Sequence, residues 1–351
     1  MTRRSLASIL VFCLLLALVV VAALLPVPYV TMNPGPTVNV LGGRSDKPII
    51  SVQGHRTYPT EGDLRLTTVS VTNPSSTIRL GDALGAWFDR TRAVYPRDVI
   101  YPPDQTAEDV EQQSTVEMVS SQDTAIAAAL TELGYKLPLQ IEVLDVTKDS
   151  PTDGKLKTRD RILEIDGTKI TKVEQVSEVI QAAGVGKPVD FVVRRGQQTR
   201  RYTITSKADP DDPKAARVGV QIGTGYDFPF DVSVRLGEEI GGPSAGLIFS
   251  LGVYDTLTPG SLTGGTDVAG TGTIDERGHV GPIGGIQQKI VAAADAGAKI
   301  FLVPPGNCDS AVAADVTEDE IKLVKAETMH SAVAALEAYS RDQDADLPAC
   351  R

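Results

Sequence analysis

The chain has 351 residues, enough for two or three domains, and its 34 basic and 45 acidic residues give a net charge of −11 at pH 7. Arg and Lys form no clustered runs with interleaved aromatic residues, so a nucleic-acid partner is not expected. No Cys-x-x-Cys, His-Glu-x-x-His or phosphate-binding Gly-x-x-x-x-Gly-Lys-[Ser/Thr] motif occurs. The sequence therefore predicts no metal, no cofactor and no ATP-driven module.

The first part of the chain is apolar. Residues 5–25 carry no charge and are long enough to cross a bilayer, and Arg3 and Arg4 precede them, so the N-terminus is expected in the cytoplasm. The alternative is a cleaved signal peptide, but Leu24-Leu25-Pro26 is a poor small-residue cleavage site. The sequence predicts a cytoplasmic stub with one transmembrane helix (residues 1–28), contact with membrane lipid, and a cell-membrane protein whose other domains are extracytoplasmic.

Strands and a helix are predicted in the next region. Residues 49–52 and 64–71 have the composition of strands. Apolar residues at helical spacing predict a helix over residues 124–133, which Gly134 can cap. This region, residues 29–136, is expected to form the first half of a domain that the chain completes later.

Residues 137–206 have the pattern of a separate insertion. Residues 141–146 alternate as a strand, and Asp160-Arg161-Ile162-Leu163-Glu164-Ile165-Asp166-Gly167 follows. The spacing of the aspartate, the aliphatic residues and the Asp-Gly pair resembles that of bacterial PDZ domains. Arg159 departs from the pattern, because this family usually has glycine before the aspartate.

The resemblance implies a peptide-binding groove. PDZ domains add an extended peptide as an extra strand and hold its C-terminal carboxylate with backbone N–H groups. Residues 173–183 would be the helix that faces the groove, and residues 189–193 and 202–205 the closing strands. Leu133-Gly134-Tyr135 is a candidate carboxylate loop, but the same residues are also explained as the end of a helix. Expected partners are protein or peptide substrates with exposed C-termini, although a PDZ fold without a groove function is the alternative.

The stretch Gly241-Gly242-Pro243-Ser244-Ala245-Gly246 contains a candidate nucleophile. Two glycines permit an abrupt turn, and proline suits the first helical position. Apolar residues at helical spacing follow, so Ser244 is predicted in the first turn of a helix, beside unpaired backbone N–H groups. This is the geometry of a nucleophile beside an oxyanion hole, although a plain turn into a helix explains the same residues.

A second stretch contains a candidate base. Residues 281–285 lead into a predicted helix that ends at Gly297, and Lys289 shares a stripe of this helix with apolar residues. A lysine among apolar side chains loses solvation, which lowers its pKa and suits it to act as a general base. The alternative is a lysine that extends from the stripe to water. His279, in a turn between predicted strands, is the other candidate base.

Together the two stretches resemble the proteolytic domain of the Lon family, whose members use a Ser-Lys dyad. Residues 242–246 correspond to the family's nucleophile motif, and residues 272–289 to its lysine motif, with Lys289 in step. The same alignment places Thr271 at the family's threonine position, where a hydroxyl can hold the amine. Upstream of the serine, Glu239-Ile240-Gly241 replaces the usual Lys-Asp-Gly.

The resemblance implies an ATP-independent, membrane-anchored serine endopeptidase that cuts unfolded or extracytoplasmic proteins selected by the PDZ domain. Catalytic roles are implied for Ser244 as nucleophile, Lys289 as base and Thr271 beside the amine. Contacts with the oxyanion or the substrate backbone are implied for Ala245, Gly242 and Gly270. By analogy with Lon, a hexameric ring is also expected. A function of another class is a non-catalytic PDZ adaptor at the membrane surface, whose Lon-like domain only scaffolds partners.

The predicted fold class is α/β (α+β), a Lon-type proteolytic domain with an inserted PDZ domain. Its halves are residues 29–136 and 216–342, separated by the insertion and by a Pro- and Asp-rich linker at residues 207–215. Residues 343–351 form a C-terminal tail.

Two cysteines are expected to pair. Cys308 and Cys350 both fall in the part predicted to be extracytoplasmic, where oxidation is permitted. Their pairing would close a loop of about 42 residues, worth roughly 3 to 4.5 kcal/mol in the chain-entropy model.

Overall fold

The computed structural model describes residues 3–44, 47–102, 105–210, 212–236 and 240–350, which form a mixed α/β protein as predicted. The helices of these residues are α1 (Arg3–Ala23), α2 (Leu80–Phe88), α3 (Arg97–Ile100), α4 (Ala107–Glu132), α5 (Val173–Ala183), α6 (Gly246–Leu257), α7 (Ile286–Asp295), α8 (Cys308–Ala311) and α9 (Met329–Arg341). The strands are β1 (Pro26–Val27), β2 (Tyr29–Asn39), β3 (Gly43–Arg44), β4 (Lys47–Pro48), β5 (Ile50–Gln53), β6 (Asp63–Val71), β7 (Ile78–Arg79), β8 (Ala93–Pro96), β9 (Leu139–Val146), β10 (Arg161–Ile165), β11 (Thr168–Lys169), β12 (Pro188–Arg195), β13 (Gln198–Thr205), β14 (Lys207–Ala208), β15 (Ala216–Arg217), β16 (Val220–Tyr226), β17 (Asp231–Val234), β18 (Asp267–Gly270), β19 (Thr273–Ile274), β20 (Val280–Gly281), β21 (Ile300–Val303) and β22 (Lys322–Lys325).

The larger domain is built on a six-stranded sheet of order β22-β21-β18-β6-β2-β8. Strands β6, β18, β21 and β22 are parallel, and β2 is antiparallel to both of its neighbours. Strand β21 is apolar throughout because both of its faces are buried. Ile300 and Leu302 pack in the core that contains α4, α6 and α9, whereas Phe301 and Val303 pack in the core that contains α7. Helices therefore cover both faces of the sheet.

The inserted domain has its own sheet and core. Its strand order is β13-β12-β10-β9-β16, with β11 paired to β10, and α5 buries Val176 and Ile180 against this sheet. Strand β16 pairs with β9 from Val220–Val146 to Tyr226–Leu139. This strand lies within residues 216–342, which the sequence predicts as the second half of the proteolytic domain. It joins the insertion because Val220 and Ile222 pack against the core of the inserted domain.

Helix α4 is longer than predicted and bridges the two domains. It begins at Thr106 with a capping box, in which Thr106 Oγ1 accepts from Asp109 N at 3.1 Å and Asp109 Oδ2 accepts from Thr106 N at 2.9 Å. It ends at Glu132, and Gly134 follows the cap, where Tyr135 N donates to Leu130 O and Gly134 N to Thr131 O. Leu133-Gly134-Tyr135 is therefore a helix end, and its amides satisfy helix carbonyls rather than a bound carboxylate.

A buried polar cluster joins α4 to the inserted domain. Asp123 Oδ1 of α4 lies 2.7 Å from Arg159 Nη2, and Glu142 of β9 is the other carboxylate of the cluster. Asp123 Oδ2 and Glu142 Oε1 are buried without a hydrogen-bond partner among the described residues. Both carboxylates are only 4% exposed. Burial, and then the neighbouring Asp123, raise the pKa of Glu142 to about 8. Two adjacent ionised carboxylates would repel each other, so the raised pKa of Glu142 favours one proton on the pair at neutral pH.

The structure shows why position 159 departs from the family pattern, in which glycine is usual. Its backbone has φ of 68°, in the left-handed region that glycine adopts most easily. A side chain in this conformation costs on the order of 1–2 kcal/mol. The ion pair gives the buried Asp123 carboxylate a counter-charge, which a glycine at this position could not supply.

The membrane prediction is overturned. Among the residues that the structure describes, no helix is long and apolar enough to cross a bilayer. The single-pass anchor, the lipid contact and the cell-membrane location predicted from residues 5–25 are corrected accordingly.

The C-terminal residues are tied to the edge of the larger sheet. Cys308, at the start of α8, is disulfide-bonded to Cys350, as the sequence predicted. Beside the disulfide, Lys325 N donates to Pro348 O at 2.7 Å and Val324 forms a bridge with Ala349. The tail therefore continues the sheet beyond β22.

Removing the disulfide should destabilise the fold. The double variant Cys308→Ser/Cys350→Ser frees a loop with a sequence separation of 42 in the unfolded chain. We expect its free energy of unfolding to fall by roughly 3 to 4.5 kcal/mol in urea titrations. Cys13→Ser, at the unpaired cysteine, is the matched control and should unfold like the wild type. Equal stability of all three proteins would contradict the expectation.

Replacing Glu142 should remove a pH dependence of stability. Because the pKa of Glu142 is raised in the folded protein to about 8, its stabilising contribution is lost as pH rises towards that value. The wild type should lose up to about 1.4 kcal/mol of unfolding free energy per pH unit between about pH 6 and 8. Glu142→Gln cannot ionise and should flatten this slope, whereas the exposed control Glu174→Gln should keep it. Unfolding curves at several pH values would measure both, and identical slopes in Glu142→Gln and the wild type would refute the raised pKa of Glu142.

Candidate active site

The serine turn has the geometry that its sequence predicts. Gly242 has φ of 84°, which a side chain would resist, and residues Pro243–Ala245 then form one turn of 3-10 helix that leads directly into α6. Proline occupies the first turn, where no N–H is needed. Ser244 is half-buried in this turn, at the positive end of the helix that follows.

Lys289 reaches the serine from α7. Its side chain is buried, with 2% exposure, and its Nζ lies 2.7 Å from Ser244 Oγ and 3.0 Å from Thr271 Oγ1. The alternative of a lysine that extends to water is therefore wrong. The three side chains singled out from the sequence lie together, although they come from the turn before α6, from α7 and from the residue that follows β18.

Burial alone moves the pKa of Lys289. Desolvation disfavours the ammonium form and lowers the pKa to about 8. Within the described part of the chain, Lys289 has no carboxylate partner that would hold it protonated. At pH 7 about one lysine in ten would then be neutral, against fewer than about one in a thousand for an ordinary lysine.

Thr271 fixes the direction of the amine. Its hydroxyl donates to Ser244 O at 2.9 Å, so its single proton is already used. Towards Lys289 the Thr271 oxygen can therefore only accept a hydrogen bond. A neutral amine that donates to Thr271 keeps its lone pair for the Ser244 hydroxyl.

The predicted backbone donors are only partly brought to the site. Ala245 follows the serine and lines the cleft described below. The N–H of Gly242 instead donates to Ser114 O of α4, at 3.4 Å. Gly270 is inside the sheet, paired with β6 and β21, and a Cβ there would come within 2.8 Å of Leu302 Cβ. Its glycine therefore serves packing, and no substrate contact follows from its position.

His279 is not part of this arrangement. Its Nδ1 lies 2.9 Å from Asp275 Oδ2, and 63% of its side chain is exposed. The base suggested by this histidine is therefore not supported by the geometry around Ser244.

A cleft of about 790 Å³ contains the serine and the lysine. One wall is the end of β6 from Thr67 to Val71, and the other includes residues 240–242 and Met118 of α4. Residues 237–239, and with them Glu239 of the unusual upstream motif, lie outside the described residues.

The β6 wall is an open strand edge. Strand β18 pairs with β6 only as far as Leu66, and beyond it no described strand pairs with this edge. Leu64 O accepts a backbone hydrogen bond from the residue that follows β2, and Thr72 N donates one to β2 itself. The backbone groups of the even-numbered residues of β6 therefore face β2. By alternation, the odd-numbered residues from Thr67 to Val71 direct their backbone groups towards the cleft. The sequence predicted this strand but not its open edge, which depends on where a distant strand ends.

A second groove lies on the inserted domain, between α5 and the segment that contains β15 and β16. Its volume is about 370 Å³. Its walls include Val176, Ser177 and Ile180 of α5 and, opposite them, Val218 and Gly219, where Gly219 has φ of 76°. The groove helix was predicted from the sequence, whereas the opposing segment was assigned to the linker and the next domain.

Two families of known proteins match separate parts of the chain. The PDZ domain family matches residues 109–205, and the Lon protease (S16) C-terminal proteolytic domain matches residues 238–337. The chain carries a PDZ domain and a Lon-type proteolytic domain. The PDZ-containing, Lon-like architecture predicted from the sequence is therefore confirmed.

The relatives among characterised proteins are Lon proteases. The Lon protease of Phenylobacterium zucineum is 37% identical over 95 residues, 27% of this chain and 12% of the relative. That of Haemophilus influenzae is 29% identical over 167 residues, 44% of this chain and 19% of the relative. The chain thus spans less than a fifth of the length of these relatives.

Among solved structures, the PDZ domain of the SdrC-like protein from Listeria innocua is 26% identical. The match covers 24% of this chain and 92% of that domain, with a TM-score of 0.22, a value that does not by itself establish a shared fold.

Proposed function

We propose that the protein is a serine endopeptidase in which Ser244 is the nucleophile and Lys289 the general base. The observation that carries the proposal is the 2.7 Å contact between the serine hydroxyl and a lysine amine that is only 2% exposed. A buried amine with a lowered pKa is what a serine needs for activation near neutral pH. The match of residues 238–337 to the Lon proteolytic domain supports the same chemistry.

In the proposed mechanism the Lys289 amine takes the proton of Ser244 as Oγ attacks the peptide carbonyl carbon. The carbonyl electron pair moves to oxygen, and backbone N–H groups of the serine turn stabilise the oxyanion. When the tetrahedral intermediate collapses, the C–N bond breaks and the Lys289 ammonium returns the proton to the leaving amine. Water then attacks the acyl ester with Lys289 again as base, which releases the acid and restores the serine.

The substrate is proposed to bind as an extended strand. The open edge of β6, from Thr67 to Val71, borders the cleft beside Ser244 and offers backbone donors and acceptors to a peptide. A folded protein cannot present a free strand to this edge, so the expected substrates are unstructured or unfolded chains. No phosphate-binding Gly-x-x-x-x-Gly-Lys-[Ser/Thr] motif occurs in the 351 residues, so peptide cleavage by this chain is expected to proceed without ATP.

Substitutions in the site test the proposal directly. Ser244→Ala should abolish cleavage of an unstructured fluorogenic peptide. Lys289→Arg should reduce kcat by about 10³- to 10⁴-fold, because guanidinium stays protonated and cannot accept the proton. Thr271→Val should cost only about tenfold, since it removes a hydrogen bond and not the base. The exposed Lys299→Arg is the control and should behave as the wild type.

The pH profile provides an independent measurement. The neutral amine is the active form, so kcat/KM should rise with pH and level off above a midpoint near the Lys289 pKa of about 8. Full activity of a folded Lys289→Arg protein, or a rate that falls with pH across this range, would remove the dyad from the mechanism.

We also propose that the groove between α5 and β16 selects substrates by their C-termini. A peptide laid beside β16 would extend the PDZ sheet, and the turn at Gly219 lies in the groove wall, where a carboxylate-binding loop is needed. Chains captured by this groove would be delivered to a cleft on the same molecule, which raises their effective concentration there.

Blocking the groove tests substrate selection. Ser177 is exposed on the groove side of α5, so Ser177→Trp should fill the groove without disturbing the core. Its exposed neighbour Glu178, which does not line the groove, provides the control Glu178→Trp. We expect Ser177→Trp to raise KM about tenfold for a disordered protein with a free apolar C-terminus, and to leave a short amidated peptide unaffected. Equal losses on both substrates would contradict selection by the groove.

A further inference from the structure

The hydroxyl of Ser121 touches the serine turn from the side away from the cleft. Ser121 is on α4, is 8% exposed, and its Oγ donates to Pro243 O at 3.1 Å. The two residues are 122 positions apart in the sequence. No part of the mechanism above uses this hydrogen bond, which links a buried hydroxyl to the peptide immediately before the nucleophile.

Because the peptide bond is planar, this contact also fixes the direction of the Ser244 N–H. In a planar trans peptide the C=O and the N–H point in opposite directions. The Pro243 carbonyl and the Ser244 N–H belong to one such plane. When Ser121 holds the carbonyl towards α4, the Ser244 N–H must point the other way.

The surroundings of the turn place the cleft on that other side. Pro243 and Ser121 border a small cavity with Thr124 and Ile274. Ser244 and Ala245 instead line the cleft that contains Lys289. The Ser244 N–H is therefore directed away from Ser121 and its small cavity, towards the side on which a substrate carbonyl would lie.

The next peptide plane is anchored in the same manner. Ser244 O accepts hydrogen bonds from Gly272 N at 2.8 Å and from Thr271 Oγ1 at 2.9 Å. This fixes the direction of the Ala245 N–H. Of the two planes that flank the nucleophile, one is thus held by the loop after β18. The carbonyl of the other accepts from Gly246 N within the turn itself and from Ser121 Oγ of α4, which is its side-chain anchor.

The segment of α4 that holds Ser121 is itself fixed. The two residues after it, Gln122 and Asp123, both contact Arg159 of the PDZ domain, at 3.4 and 2.7 Å. Two residues beyond these, Ala125 begins the part of the helix that is buried in the protease core. A donor on such a segment can hold a carbonyl in one place with little loss of entropy.

We propose that Ser121 is a positioning residue, which keeps the Ser244 N–H directed at the developing oxyanion. The inference rests on the proposed peptidase function and extends it to a residue outside the dyad. Ser121 does not touch the substrate and acts through the Pro243–Ser244 peptide. Its effect is therefore expected in the transition state and not in substrate binding.

Ser121→Ala is the decisive variant. Loss of an oxyanion donor typically costs about 10²- to 10³-fold in kcat, and a donor that is loosened but still present should cost about 10- to 100-fold. KM should change by less than about threefold, because the contact adds nothing to ground-state binding. The affinity for a peptide aldehyde, whose tetrahedral adduct carries the oxyanion, should fall in parallel with kcat.

Two further variants separate positioning from a structural role. Ser121→Thr keeps the hydroxyl, and its extra methyl has room in the small cavity beside Pro243, so it should restore most of the activity. Ser120→Ala removes the neighbouring exposed hydroxyl, which has no protein partner among the described residues, and should match the wild type. Thermal unfolding of all variants shows whether a loss of activity comes from a loss of fold.

The outcomes distinguish this inference from the proposed function. If wild-type protein neither cleaves the peptide nor binds the aldehyde, the peptidase function itself is wrong. An active wild type with an equally active Ser121→Ala variant would overturn the role of Ser121 alone. The role of Ser121 would also be overturned if Ser121→Ala raised KM and left kcat unchanged. A Ser121→Thr variant as slow as Ser121→Ala would overturn it too.

Discussion

The burial of the Lys289 amine is the constraint on which the rest of the site depends. Loss of hydration disfavours the protonated amine, and its hydrogen-bond partners among the described residues are the hydroxyls of Ser244 and Thr271. The surrounding elements hold the lysine helix in place. On the far side of α7, Asn307 forms two hydrogen bonds with the backbone of Ile283, both 2.9 Å long, and so fixes the loop from which the lysine helix begins.

Helix α4 connects the parts of the molecule, because it contacts the PDZ domain, the serine turn and the protease core. Its first half contacts the PDZ domain through Gln112, whose Nε2 lies 2.9 Å from Asp145 Oδ2. Its middle contacts the serine turn, and its last turns are buried in the protease core. Neither domain can shift far without moving this helix. The insertion is thus a partner of the catalytic fold and not an appendage on a loose linker.

A feature could be predicted from the sequence where neighbouring residues alone determine it. Ser244 and Lys289 were predictable because each lies in a stretch whose own residues determine the turn or helix that presents it. Thr271 was placed only by the resemblance to the Lon family. The role given to Gly242 is not supported, because its N–H donates to the backbone oxygen of Ser114, which is far away in the chain. Ser121 and the open edge of β6 were missed for the same reason. The length of α4 was also missed, since its first half is polar on all sides and shows no apolar stripe.

The disulfide-bound tail has a consequence for how the molecule behaves among its own copies. An uncovered edge strand at the end of a sheet offers its backbone to any other extended chain, including a substrate on its way to the cleft. At β22 the bridge between Val324 and Ala349 occupies part of that edge, and Cys308 holds the covering residues in place. This edge is thereby shielded from joining, in a growing β-aggregate, the unfolded chains that the proposed function would bring to the molecule.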